Sequence, residues 1–140
     1  MDLKEKIVEK MKVPTLAAFS TITDKGFPWV RYVMVRSDHD LFIWFATFRR
    51  SRKVQQIENE PEVHLTLGVS DAETAESYLQ IQGKAVILTD AATKEANWND
   101  HLGSIFSGPE DPDYCVCRIT PYRIEYTNMV PGEPPEVWKA

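Results

Sequence analysis

Between residues 41 and 61 the chain reads LFIWFATFRRSRKVQQIENEP, and four of the five residues from Arg49 to Lys53 are cations set around one hydroxyl, Ser51. The apolar run from Leu41 to Phe48 has the make-up of a strand, while Val54 and Ile57 share a face of a short helix that Pro61 closes. Arg49, Arg50, Arg52 and Lys53 therefore crowd the start of a helix, where free backbone N–H groups already carry partial positive charge and repel them. An anion resolves that conflict. A phosphate suits it best, because Ser51 stands at the N-cap position, and a hydroxyl, basic side chains and free N–H groups together make a phosphate cradle. The same run also reads as a solvated basic loop that keeps the protein soluble. Its setting favours the cradle, since it follows a very apolar strand directly in an acidic chain.

Other chemistry is sparse. His39, His64 and His101 are scattered and read as structural or solvated, with His101 well placed as a cation near a helix C-terminus. Cys115 and Cys117 stand two apart on a strand-like run with no second ligand cluster, so they read as free thiols, and no metal site is expected. A Gly-x-Ser-x-Gly elbow, an HExxH pair, a GxGxxG loop and a P-loop are all missing. Trp44, Phe45 and Phe48 suit a barrel core and a subunit contact better than a substrate box.

The 140 residues suit one domain, and a net charge of −5 argues against a general nucleic-acid surface or an anionic membrane. A small barrel binding nucleic acid through aromatics and the 49–53 cluster is disfavoured for the same reason. No run approaches the ~18 apolar residues of a membrane span, and the N-terminus lacks the apolar stretch of a signal peptide, so a cytoplasmic location is expected.

The elements that must position the basic cluster follow in order. Leu3, Ile7, Val8 and Met11 are spaced as one helix face, with Asp2 as cap, giving an N-terminal helix within residues 1–13. TLAAFSTI at 15–22, a turn at Thr23 to Gly26, and PWVRYVMVR at 28–36 form a hairpin. Trp29, Arg31, Val33 and Val35 share one face of its second strand, and Val30, Tyr32 and Met34 the other. A tight turn at Ser37 to Asp40 makes 41–48 its antiparallel neighbour, and Arg31 then reaches the basic loop only if the sheet curls. After the helix at 52–59 come strands at 63–69 and 78–88, the second with Gly83 as a bulge or close approach. A helix from Asp90 through roughly 101 should place Trp98, Leu102 and Ile105 on one face. A strand at 114–126 is bent or placed at an edge by Pro121, and a proline-rich tail, 128–140, should lie extended on the surface. Six strands joined largely by tight turns predict a mainly β, antiparallel, closed or nearly closed barrel with a few short helices.

Taken together, RYVMVR at 31–36, FATFRRSRK at 45–53, NEPEV at 59–63, IQGKAVI at 81–87 and GPEDPDYCVCRITPYRIEY at 108–126 resemble the pyridoxamine 5′-phosphate oxidase-like FMN-binding split barrels. The nearer resemblance is to their short general-stress-protein branch, over residues 15–127. It implies a six-stranded split barrel and a homodimer with FMN at the subunit interface. By position it implies that Arg31, Ser51, Arg52 and Lys53 hold the FMN phosphate, with Arg36 a further cation. It sets Tyr32, Val33 and Met34 along the isoalloxazine ring through their backbone, and Phe45, Ala46 and Thr47 on the neighbouring strand. The amide expected at the pyrimidine end has no clean match, and Gln80 and Gln82 are its candidates. The implied activity is that of an FMN-dependent oxidoreductase acting on a small molecule, with a nicotinamide donor; the alternative is a flavin-binding stress or sensor protein without efficient turnover. Haem- and deazaflavin-binding relatives share the scaffold.

Two departures stand out. The Trp-Arg-Leu motif and further arginine of true pyridoxamine 5′-phosphate oxidases do not follow here, so vitamin B6 oxidation is not expected. Glu125 and Tyr126 are followed by Thr127 where the stress-protein branch has an aromatic, which leaves Trp98 or Trp138 to cover the flavin.

Overall fold

Helix α1, Leu3–Met11, starts in a reciprocal cap in which the Asp2 carboxylate accepts the Glu5 N–H and the Glu5 carboxylate accepts the Asp2 N–H. The computed structural model describes all 140 residues. Strand β1, Thr15–Ile22, and strand β2, Pro28–Ser37, pair over eight positions across the turn at Gly26, whose φ of +83° is a conformation glycine adopts without steric cost. Strand β3, Ile43–Phe48, leads into helix α2, Arg52–Asn59, and strand β4, Glu62–Leu67, follows. Strand β5, Ser77–Leu88, is joined through helix α3, Ala91–Ala96, and a 3-10 turn at Asp100–Ser104 to strand β6, Tyr114–Asn128.

The six strands run β3-β2-β1-β4-β5-β6, all antiparallel, and β3 pairs with β6 to close the barrel. The core is one alternating inward row, including Phe19, Val35, Ile43, Phe45, Leu65, Leu79, Ile81, Ile119 and Ile124, sealed by Ile7 and Met11 of α1 and Ile57 of α2. A smaller cluster outside the barrel packs Leu102, Phe106, Tyr114 and Val116 against Trp44, Ala46 and Trp98.

Four expectations change in detail. The β2–β3 hairpin holds for only two pairs, Arg36 with Trp44 and Ser37 with Ile43. Asp38 collects the N–H groups of Asp40 and Phe42 and the Trp44 indole, and Leu41 turns at a φ of +66°, so β3 leaves β2 and pairs with β6 over six positions instead. The helix from Asp90 stops at Ala96, where Asn97 turns its amide back onto the Thr93 carbonyl, and Asn99 caps a separate 3-10 turn. Ile105 consequently faces solvent, and Phe106 takes the buried place beside Leu102. The tail is extended but docked: Glu136–Lys139 forms a seventh strand, β7, on β6, and Glu136 pairs with Lys6 of α1 at 2.9 Å.

Pro121 explains how β6 serves two partners on one edge. It has no N–H to give to a ladder, and it stands between the segment paired with β3, which ends at Ile119, and the segment paired with β7, which begins at Arg123. Opposite it, the register shifts between Gln82 and Gly83, and a Cβ at Gly83 would stand 2.8 Å from Ile119 Cγ2 and 2.9 Å from the Thr120 carbonyl oxygen. Gly83→Ala should therefore lower stability by about 2 kcal/mol, measured as a lower urea midpoint at unchanged slope; an unchanged midpoint would show that β6 moves aside freely.

Candidate functional site

The basic residues of the β3–α2 loop divide once folded. Arg49 pairs with Glu58 at 3.1 Å and Arg50 with Asp113 at 3.3 Å, so both are neutralised. Arg31, Arg52 and Lys53 have no carboxylate partner. The barrel's curl brings these three together from β2 and from the first turn of α2.

Arg31 lies half-buried in a cage of neutral oxygens. Its guanidinium donates to Thr21 Oγ1 at 2.7 Å, Gln56 Oε1 at 2.9 Å, and the carbonyls of Trp29 at 3.1 Å and Phe19 at 3.4 Å. Lys53 Nζ donates to Thr47 Oγ1 at 2.9 Å. Burial, and after it the nearby Arg52 charge, lowers the Arg31 pKa. Burial, and after it the Arg31 charge, does the same for Lys53. These groups are shifted away from their charged forms, the direction expected when cations are desolvated near like charge with no acid to offset it.

Ser51 completes the arrangement. It occupies the N-cap of α2 in extended conformation, yet its hydroxyl makes no capping bond, and no acidic residue stands in the first turn. Ser51 Oγ is buried without a hydrogen-bond partner. A buried hydroxyl left unpaired, ahead of free helix N–H groups and beside unneutralised cations, fits an oxyanion with several acceptor oxygens. A phosphate monoester supplies those oxygens and the missing charge together.

Strand alternation sorts the remaining candidates. Val33 turns into the barrel, whereas Tyr32 and Met34 stand exposed on the outer face of β2. Arg36 has the opposite parity from Arg31: it donates to Asn97 Oδ1 and lines a groove of about 340 Å³ with Asp38, Trp44 and Thr93. Phe45 is in the core, edge-on to Phe19 with centroids 5.1 Å apart, and Thr47 is buried under Lys53. Ala46 and Trp98 belong to the outer cluster, Trp98 edge-on to Tyr114 at 5.5 Å, on the face of β3 opposite Thr47. Gln80 and Gln82 lie on the outward face of β5, in register with Glu125 and Arg123 of β6, and Trp138 packs on the core from β7. The fold thus gathers Arg31, Thr47, Ser51, Arg52 and Lys53, and places Arg36, Gln80 and Trp98 elsewhere.

Sequence reasoning missed Thr21, Gln56 and Trp29, which hold Arg31. Gln56 carried a signal, since it is one turn beyond Arg52 and Lys53 on α2. Thr21 carried none without the barrel's curl. Cys115, its pKa pushed up by burial to about 11, and Cys117, shifted further the same way, are buried free thiols with suppressed reactivity. His64, half-buried on β4, has its pKa lowered by burial against the opposing pull of Glu125. No three His, Cys, Asp or Glu side chains converge as a metal site would require, and no helix is long and apolar enough to cross a membrane.

The sequence profile of the pyridoxamine 5′-phosphate oxidase family matches residues 3–128. This chain belongs to that family. Within it, general stress protein 26 of Bacillus subtilis (strain 168) is 31% identical over 127 residues, covering 91% of this chain and 89% of the relative. The crystal structure of general stress protein 26 from Bacillus anthracis str. Sterne superposes with a TM-score of 0.82 at 32% identity, over the whole of both chains. A Clostridium acetobutylicum protein related to general stress protein 26 shares the fold at TM-score 0.76 and 24% identity, over 96% of this chain and 90% of that one. The stress-protein-26 branch of the family is thereby the chain's own, and its fold is the split barrel.

The unneutralised cations make a prediction that needs no cofactor. Inorganic phosphate should raise the melting temperature of the apo-protein at constant ionic strength, because it binds only the folded cradle. That gain should fade as pH rises through the depressed pKa of Lys53, below the ordinary lysine range, since the neutral amine no longer attracts the anion. Thermal scans in phosphate against chloride check this; equal melting temperatures in the two salts would remove the anion site.

Proposed function

We propose that the chain is an FMN-binding flavoprotein of the stress-protein branch, with the FMN phosphate held by Arg31, Ser51 and Lys53, and that it transfers electrons between the flavin and a small molecule. The observation that carries this reading is the buried, unpartnered Ser51 hydroxyl at the start of α2, set beside cations that no carboxylate neutralises. The split between β2 and β3 supports it further. Because those strands pair at only two positions, the facing edges of β2 before Arg36 and of β3 after Trp44 have no strand partner. By strand alternation the backbone N–H and C=O groups of Tyr32, Met34 and Ala46 face this gap and are available to the polar rim of an isoalloxazine ring, while those of Val33 bond β1 and those of Phe45 and Thr47 bond β6.

The outer face of the β1–β2 hairpin supports a homodimer with the flavin at its interface. Leu16, Val30, Tyr32 and Met34 are all more than half exposed and form one apolar surface, Leu16 standing in register with Met34. Exposed apolar surface of that kind marks a contact with another chain.

When bound, the flavin supplies hydride chemistry at its N5 position. The residues here bind and orient: Arg31 and Lys53 fix the phosphate end, Thr47 holds Lys53 in place, and the core under Phe19 and Phe45 keeps β3 rigid. No acid–base side chain is needed for a hydride transfer, in keeping with the absence of a catalytic constellation. The alternative, a stress or sensor protein that holds flavin without turnover, uses the same cradle.

Arg31→Ala and Lys53→Ala should each weaken FMN binding about 10- to 100-fold, the worth of one charge-assisted hydrogen bond. Equilibrium dialysis measures it, and unchanged affinity in both variants would place the phosphate elsewhere. Anaerobic mixing of the FMN-loaded protein with NADH or NADPH separates the two functional readings: rapid bleaching of the flavin absorbance is expected for the oxidoreductase, and a flavin that stays oxidised would favour the sensor.

A further inference from the structure

Two residues of α2, two positions apart, each hold one arginine, and they do so with different chemistry. Glu58 takes Arg49 in an ion pair at 3.1 Å, whereas Gln56 takes Arg31 through its amide oxygen at 2.9 Å. Thr21, fully buried, donates its hydroxyl to the same Gln56 oxygen and accepts from Arg31 at 2.7 Å, so the three side chains close a ring. The other acceptors of the guanidinium, the Phe19 and Trp29 carbonyls, are also neutral. All of these bonds use the two terminal nitrogens, and the Nε–H has no partner in the chain. Arg31 is thus fixed from one side with its full charge and one N–H in hand.

We infer that Gln56 is a positioning residue that sets both the direction and the charge of the cradle: its amide oxygen anchors Arg31 without neutralising it, and so gives the site its preference for a phosphorylated flavin over the same flavin without phosphate. The inference rests on the phosphate assignment made above and deepens it. A carboxylate at this position would have the same shape and would accept the same two hydrogen bonds. Charge alone separates the two. Glutamate at 56 would stand four residues after Arg52 and three after Lys53, the spacings at which helix ion pairs form, so it would act on all three unneutralised cations together.

The apo-protein would then gain the ion pair that it lacks. A phosphate monoester, with close to two negative charges near neutral pH, would lose much of its attraction and meet a like charge behind the guanidinium. Stability and phosphate binding are therefore opposed at this residue, and the amide is the choice that favours binding. A residue with only a packing role would move both in the same direction.

Gln56→Glu and Gln56→Met test this in the purified apo-protein. Gln56→Glu should raise the melting temperature by about 3 °C and abolish the further rise that inorganic phosphate gives the wild type at constant ionic strength. By calorimetric titration its affinity for FMN should fall about 10- to 100-fold, while its affinity for riboflavin stays within about twofold of wild type. Gln56→Met keeps the length without the amide oxygen; it should lower the melting temperature and weaken FMN by only about threefold to tenfold, because Arg31 loses an anchor and keeps its charge. An unchanged ratio of FMN to riboflavin affinity in Gln56→Glu, or a fall in its melting temperature with equal losses for both flavins, overturns the role of Gln56 and leaves the cradle standing. A wild type that binds FMN no better than riboflavin and gains nothing from phosphate overturns the cradle and this inference together.

Discussion

Burying positive charge without negative charge to offset it is unfavourable, and this fold does so where β2 meets the start of α2. Arg31 and Lys53 are half-buried with only neutral oxygens around them, and Arg52 adds a third like charge. The helix start adds its own positive potential, with no acid in the first turn and no capping bond from Ser51. Nearby acids could have quenched the cluster, and they do quench Arg49 and Arg50. The linkage has a definite sign. A lysine whose pKa is lowered on folding releases its proton more readily in the folded state, so its contribution to stability improves as pH rises through the depressed value. A stabilising ion pair would behave in the opposite way. An anion bound there would relieve that cost and so stabilise the folded state.

The rest of the architecture holds that cluster in place. Inward-facing Phe19, Phe45, Leu65 and Ile81 fix the strands, and Ile57 fixes α2 against them, so the first turn of the helix cannot withdraw from Arg31. Gln56 links the two directly: its amide oxygen accepts from both Arg31 and Thr21. Thr47 plays the same part for Lys53 from β3. The departure of β3 from β2 leaves two strand edges unpaired beside the cluster, a liability in an isolated sheet and an asset where a flat polar ring is to be bound.

Several devices that shape this arrangement are small. Asp38 gathers two backbone N–H groups and an indole N–H, which turns the chain sharply and sends β3 towards β6. Pro121 divides the edge of β6 between β3 and β7, and Gly83 lets the two long strands cross closely at the same level. The C-terminal strand and α1 brace each other through Lys6 and Glu136, and both Lys6 and Lys10 lie over the Tyr126 ring. None of these residues touches the cradle, yet each determines where its walls stand.

Strand and helix positions were legible in the sequence because their signals are local. Alternation marked β1, β2, β4, β5 and β6, an apolar run marked β3, and the paired spacing of Val54 with Ile57 marked α2, which spans the expected residues. The charge run at 49–53 marked the candidate anion site for the same reason: a helix start repels cations whatever the rest of the chain does. The sequence alone did not determine which cations would remain unneutralised. Arg49, Arg50, Arg52 and Lys53 are equivalent as letters, and only the approach of Glu58 and Asp113 separates them. Alternation put Arg31 and Arg36, five residues apart on one strand, on opposite faces, but it did not say which face meets the start of α2. That choice, like the recruitment of Thr21 and Gln56 and the docking of the tail on β6, depends on distances between segments far apart in the chain. Barrel closure alone sets them.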